Sequence, residues 1–348
     1  MARIAVAGAG AIGASVAYQL ALRGARDVVL ADRGEVASGS TGKAMGGVRQ
    51  QFSTEPEVRL ARDSIRFFEE LGARWFQQVG YVFLATTEAG LAELEERMEL
   101  QRRLGVPVEH VDVPEGVRGD DVLGAVACRS DGVADPPATT RELVRRGAEL
   151  GVEVRERTPV EELEWDVLVV ACGPWSAEVA APHGIELPIR PLCRQLLETT
   201  PLEDLPPDLP MVIELETGFH FRRRDGRLRI AMPDEQLRWS FEEVVDESVF
   251  DDRLRRLRHR YPLAAGAAID RSWAGLYDMT PDAHPIVDRV ADGIYVACGF
   301  SGHGFMQSPA VGQALAELIL EGETGYDLSP FALERFEHDA VFPEEVVL

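Results

Sequence analysis

The sequence predicts an α/β fold, α+β overall, and three observations carry that expectation. A strand, a glycine turn, a helix and a second strand open the chain. Apolar strand runs followed by glycine turns return near residues 165–176 and 293–322. Between them, residues 190–280 alternate in the manner of a mixed or antiparallel sheet.

The opening stretch, "RIAVAGAGAIGASVAYQLALRG", spans Arg3 to Gly24. Its apolar run has strand length. Gly8, Gly10 and Gly13 follow at G-x-G-x-x-G spacing, and an amphipathic helix ends at Gly24. A second apolar run, "VVLADR", carries Asp32 and Arg33. This is a Rossmann-like dinucleotide fingerprint in its expected context. Gly8 permits the tight turn, Gly10 lets a pyrophosphate approach the backbone, and Gly13 lets helix and strand pack closely. Free N–H groups at the helix start, including those of Ala11 and Ile12, face the phosphates. The Asp32 carboxylate is placed to accept hydrogen bonds from a ribose hydroxyl.

The next loop, "GSTGKAMGGVRQQF", runs from Gly39 to Phe52 and holds Lys43, the sole lysine of the chain. The other basic residues are arginine. Such a glycine-rich loop brings backbone close to a ligand. An ammonium is a compact point charge on a flexible stem, whereas a guanidinium is planar. Its survival here singles out Lys43.

Further along, 55–76 read as a long helix, 81–85 as a strand and 88–104 as a helix. Residues 131–160 read as turn, helix and strand. "GFHFRRRDGRLRIAM" reads as a hairpin about Asp225 and Gly226, and "DDRLRRLRHRYP" as a helix stopped by Pro262.

A length of 348 residues suggests two domains. The net charge of −23 argues against nucleic-acid binding. Four cysteines, at 128, 172, 193 and 298, form no C-x-x-C pair, which suggests a reducing compartment and no metal site. No basic leader or long apolar run is visible, so a cytoplasmic protein without a membrane span is expected.

Five segments together resemble the D-amino-acid oxidase superfamily of FAD enzymes, and its sarcosine oxidase and sarcosine oxidase β-subunit-like branch in particular. They are "VAGAGAIGASVAYQLA", "SGSTGKAMGGVRQQFS", "DVLVVACGPWS", "WAGLYDMTPDAHPIVD" and "GFSGHGFMQSPAVGQALAELI". The resemblance implies an FAD-binding domain from 1–80, 131–189 and 284–330, a substrate domain from 81–130 and 190–283, and a tail at 331–348. It implies FAD contacts from Ser40, Thr41, Lys43, Met45, Gly46, Gly47, Val160, Ala171, Gly173, Trp175, Gly275, Gly302, His303, Gly304, Phe305 and Met306, beside those of the fingerprint. The family's longer hairpin is shortened here between Val154 and Asp166. Gly275 stands where monomeric sarcosine oxidases carry a flavin-tethering cysteine, so noncovalent FAD is expected.

The resemblance implies hydride removal from the carbon beside an amine. Lys43, Arg49 and Tyr277 are the expected catalytic residues. Arg49 would clamp a substrate carboxylate, and Tyr277 favours a secondary amine such as sarcosine, dimethylglycine or proline. His220 and Phe221 are expected to line the substrate pocket. Met306 stands where a carboxylate-binding lysine occurs in monomeric sarcosine oxidases, so that clamp is incomplete. Arg229 aligns loosely with a lysine that assists oxygen, and Trp273 reads as core. Oxygen or an electron-acceptor protein would take the electrons, with hetero-oligomer partners possible. Oxidation of glycine or a D-amino acid, and a noncatalytic flavin-binding subunit, stay open as alternatives.

Overall fold

The computed structural model describes residues 2–337 and 343–344. The strand Ile4–Ala7 lies inside a six-stranded sheet, flanked in parallel by Val28–Ala31 and Val167–Val170. Glu153–Arg155 extends one side and Ile294–Cys298 the other, both parallel. Ile286–Ala291 closes the latter edge antiparallel. The three central strands are almost wholly buried, which is why they read as unbroken apolar runs. The helices Ala11–Leu22, Pro136–Glu149 and Gly304–Glu321 pack together against this sheet. Asp135 caps the second of these, accepting from Ala138 N at 3.0 Å, with proline in the first turn.

The glycine turn is held by backbone. Gly8 N donates to Ala31 O at 2.7 Å, and Gly8 has φ +100°. A β-carbon on Gly13 would overlap the carbonyl oxygen of Gly8. Backbone cannot swing aside as a long side chain can, so the close crossing of helix and turn requires glycine here.

A second, eight-stranded sheet has the order Ile269–Met279, Arg190–Thr199, Arg227–Ala231, His220–Arg224, Met211–Glu214, Tyr81–Ala85, Gly124–Cys128, Val108–His110. All neighbours are antiparallel except Met211–Glu214 with Tyr81–Ala85. Asp225 and Gly226 both have positive φ at the expected hairpin turn. One face of this sheet packs Val82, Leu84, Val212, Phe221, Leu228 and Ile230 against Leu254 and Leu257 of the helix Phe250–Arg260. A small third sheet joins Gly47–Val48, Gly132–Ala134 and Phe76–Gln77. Its two- and three-residue strands are too short to leave a periodic pattern in the sequence.

Buried polar links secure the region around the helix Gly304–Glu321. The carboxylate of Glu57 accepts from Gln307 and meets His284 Nδ1 at 2.8 Å, with Glu57 and His284 wholly buried. Arg335 pairs with Asp282 at 2.8 Å. Thus part of the segment expected as a tail is packed, with Phe331 in the core. Residues 338–342 and 345–348 of that segment lie outside the described residues.

Substituting Gly13→Ala is expected to cost about 1–3 kcal/mol through overpacking against backbone. Chemical denaturation measures it, and an unchanged midpoint would show that the turn can yield.

Candidate active site

A cavity of about 720 Å³ opens between the two large sheets. Part of its wall is the glycine turn, with Gly8, Gly10, Ala11 and Ile12, next to Asp32, Arg33 and Val160. Ala171, Gly173 and Trp175 continue it. Asp32 holds this corner together: its Oδ2 accepts from Ala9 N and its Oδ1 from Gly34 N, each at 2.7 Å. A carboxylate has about four acceptor positions, so Asp32 can still receive a hydroxyl. Arg33 stacks on Trp175, 4.5 Å from the ring centroid. At Gly10 a β-carbon would meet only Thr41 Oγ1, at 3.2 Å, so the wall is bare backbone there. Thr41 Oγ1 accepts from Ala11 N at 3.1 Å.

The short helix Ser40–Lys43 brings Ser40, Thr41, Lys43 and then Met45 to the wall. Lys43 stretches over Gly275, where a β-carbon would come 2.9 Å from Lys43 Cβ. Its ammonium pairs with Glu243 from the segment that follows Arg227–Ala231. Phe241 of the same segment stacks on Trp175, at 5.9 Å between centroids and 20° between planes. Segment 232–243 thus crosses the cavity and adds Phe241 and Glu243 to its wall.

The eight-stranded sheet supplies the remaining side. His220 alternates with Phe221, and a strand sends successive side chains to opposite faces. His220 lines the cavity, while Phe221 faces the core against Tyr261, with ring centroids 5.6 Å apart. The expectation that both line the pocket is corrected by that alternation. His220 Nδ1 lies 2.8 Å from Gly218 O, which as an acceptor fixes the neutral ring with Nε2 as its open acceptor. Burial first, then the nearby Arg49 and Arg194 guanidinium groups, pushes the His220 pKa down to about 4, against the effect of that carbonyl.

Tyr277 is half-buried in the wall beside Gly302, where a β-carbon would overlap its ring. Burial pushes its phenol pKa up, so the hydroxyl keeps its proton. Gly302 has φ +99° and belongs to the turn before the helix Gly304–Glu321, which places Gly304 and Phe305 on the wall. Asp278 secures this turn: its Oδ2 accepts from Gly299 N at 2.7 Å and its carbonyl from Ser301 N at 3.1 Å. Burial raises the Asp278 pKa to about 6.

Other expected residues lie off the wall. Gly13 is sealed beneath the turn. Gly46 has φ +84°, and a β-carbon on Gly47 would overlap the Tyr81 hydroxyl, so both serve the small sheet. His303 packs edge-on against Phe52, 5.0 Å between centroids. Met306 sits in the apolar core that includes Phe52 and Phe68.

Arg49, expected as the carboxylate clamp, is buried behind the wall. Its guanidinium lies 4.0 Å from the centroid of the Phe52 ring and donates to Gln51 O. Arg229 stacks on Trp273 at 4.8 Å, pairs with Glu198 at 3.2 Å and donates to Ala44 O. Wall residues absent from the sequence reading include Phe241 and Glu243 and, as the charged one on the sheet, Arg194 on the strand Arg190–Thr199.

The turn, the bare backbone at Gly10 and the acid at Asp32 fit the class of proteins that bind a dinucleotide. The chain belongs to the FAD dependent oxidoreductase family (DAO), whose family model matches residues 3–318. Its cofactor is FAD, and it is an FAD-dependent oxidoreductase. It is 25% identical to 4-methylaminobutanoate oxidase (formaldehyde-forming) of Paenarthrobacter nicotinovorans, over 96% of this chain and 45% of that protein. The chain therefore spans about half the length of that relative. It is 27% identical to glycine oxidase of Geobacillus kaustophilus, over 95% of this chain and 96% of that one. The crystal structure of L-proline dehydrogenase from P. horikoshii matches with a TM-score of 0.91 at 26% identity, covering 98% of this chain and 99% of that one. Among the described residues no helix is long and apolar enough to cross a membrane.

A group whose folded pKa is depressed favours the folded state above its unfolded pKa. For His220 that stability is present above about 6.5 and is lost as pH falls towards 4, at no more than about 1.4 kcal/mol per pH unit. His220→Gln is expected to lose less stability on acidification than the wild type. Urea midpoints at pH 7 and pH 5 check this, and equal losses would contradict it.

Proposed function

We propose that the chain oxidises the C–N bond of a small amino acid bearing a secondary amine, of the sarcosine, dimethylglycine or proline kind. The observation that carries this reading is the convergence of a neutral His220 and a protonated, half-buried Tyr277 on one cavity wall. By their names, 4-methylaminobutanoate oxidase and L-proline dehydrogenase both take secondary amines, which supports the choice.

The residues present fit FAD. The turn at Gly8 to Ile12 would hold the pyrophosphate, and Asp32 a ribose hydroxyl. Val160, Gly173 and Trp175 would flank the adenosine half. The N–H groups at the start of the helix Gly304–Glu321 favour negative charge at that end of the cavity. When bound, FAD supplies the acceptor for a hydride from the carbon beside the amine.

The chain's own residues do the rest. Neutral His220 places no positive charge beside the amine, and its Nε2 can accept an N–H. Tyr277 offers its hydroxyl to the substrate. Segment 232–243, drawn in by the Lys43–Glu243 pair, narrows access for water. FAD is held without a covalent bond in this reading, because Gly275 offers no thiol and the Lys43 stem fills the space above it.

Anaerobic mixing of the FAD-loaded protein with sarcosine, dimethylglycine, L-proline, glycine and D-alanine tests the proposal. Bleaching of the flavin by a secondary amino acid is expected, and bleaching by glycine or D-alanine alone would overturn it. Admitting air then reads the acceptor: rapid return of colour marks an oxidase, and none a dehydrogenase. In the same assay Lys43→Arg is expected to slow one half-reaction by about tenfold, since a planar fork cannot replace a compact ammonium whose stem is packed over Gly275. Unchanged rates in both half-reactions would leave Lys43 without that role.

A further inference from the structure

Arg194 stands out among the cavity-wall cations. Lys43 is paired with Glu243, and Arg33 is stacked on Trp175 beside the glycine turn. The Nε and Nη1 of Arg194 are enclosed and have no hydrogen-bond partner among the described residues. Arg194 as a whole is half-buried, so these two nitrogens give up part of the group's hydration with no hydrogen bond in return, a cost that an anion at the guanidinium lowers.

The register explains where the group points. Arg190–Thr199 pairs antiparallel with Ile269–Met279, setting Arg194 opposite Gly275 and Leu192 opposite Tyr277. Residues opposite one another share a face, and so do residues two apart along a strand. Arg194 and Tyr277 are therefore diagonal neighbours on the cavity face, with the guanidinium carbon 5.8 Å from the ring centroid. Gly275 itself carries no side chain, and the space above it is taken by the Lys43 stem, whose ammonium is drawn off to Glu243. Arg194, His220 and Tyr277 all line the one cavity.

The alternatives are committed elsewhere. Arg49 is behind the wall on Phe52 and bonds Gln51 O. Arg229 is engaged by Glu198 and Trp273. Arg222 also has enclosed nitrogens without partners, but it lies beneath Gly46, where a β-carbon would come 3.0 Å from its Nη2, and off the cavity wall.

We propose that Arg194 receives the carboxylate of the substrate, the role that sequence reasoning assigned to Arg49. The inference rests on the amino-acid reading above and adds to it that the substrate must carry a free carboxylate within reach of the Tyr277 hydroxyl and His220. A charge-assisted contact from a planar guanidinium orients the acid, and the amine beyond it is left to His220.

The test is a direct binding measurement on the FAD-loaded protein. (Methylthio)acetate and tetrahydrofuran-2-carboxylate mimic sarcosine and proline but contain no amine to oxidise. Each is titrated while flavin absorbance is followed, with the uncharged amides as controls. In Arg194→Gln the Kd of the carboxylate that perturbs the wild-type flavin is expected to rise on the order of 30-fold or more, with the amide unaffected. Arg194→Lys is expected to recover part of the affinity, and both variants to keep wild-type FAD content. For the bleaching amino acid the loss should fall on KM more than on kcat. A Kd within threefold of wild type in Arg194→Gln overturns the assignment, even if amino acids bleach the flavin. Loss of FAD from both variants overturns it too, marking Arg194 as a cofactor-holding residue. Arg194-dependent binding of a carboxylate without bleaching by any amino acid upholds the assignment and instead defeats the proposed reaction.

Discussion

The carbonyl oxygen of Gly8 occupies the place that a β-carbon on Gly13 would need. That crossing sets how closely the helix Ala11–Leu22 approaches the strand Ile4–Ala7, and much of the cavity wall follows from it. Ala37 N donates to Ala9 O, and Ala171 N to Ala7 O. The same few residues thereby anchor the turn, the start of the loop to Lys43 and the strand leading to Gly173 and Trp175. Asp32 adds two charge-assisted bonds from backbone amides and so locks the corner in which it also faces the cavity. A structural bond and a ligand-facing position share one carboxylate.

The second sheet obeys a different constraint. Its strands are two-faced: one face packs against the helix Phe250–Arg260, and the other is a polar layer where Arg194 and His220 face the cavity but apolar where Tyr81, Phe83, Met211 and Ile213 join the core of Phe52 and Phe68. Guanidinium groups on the polar layer are costly there. Glu198 offsets one of them through Arg229, and the Trp273 face shares the load. Among the described residues no carboxylate pairs with Arg194, and the uneven distribution of charge gives this wall its chemical direction.

The N-terminal turn was legible because its meaning is local: strand, three glycines, helix and acid lie within thirty-odd residues. The hairpin at Asp225 and Gly226 and the strand–turn–helix ending at Glu321 were legible for the same reason. The direction of a side chain was harder to read. Arg49 was placed on the wall by its position in a glycine-rich loop, whereas tertiary packing turns it onto Phe52. Phe221 was grouped with His220, although a period of two separates them. Arg194 was missed because its neighbour Gly275 is far along the chain, and only the pairing register brings them face to face. Glu243 was missed because a segment crossing a cavity has no periodic pattern.

A β-carbon at 275 would come 2.9 Å from Lys43 Cβ, as well as 3.4 Å from its Cδ. The first of these atoms belongs to every residue but glycine, so a shorter side chain at 43 would leave the conflict in place. What demands glycine at 275 is thus the path of the Ser40–Lys43 backbone as much as the length of the side chain laid over it. Room for a larger residue there would have to come from moving the short helix itself, and with it the pair between Lys43 and Glu243.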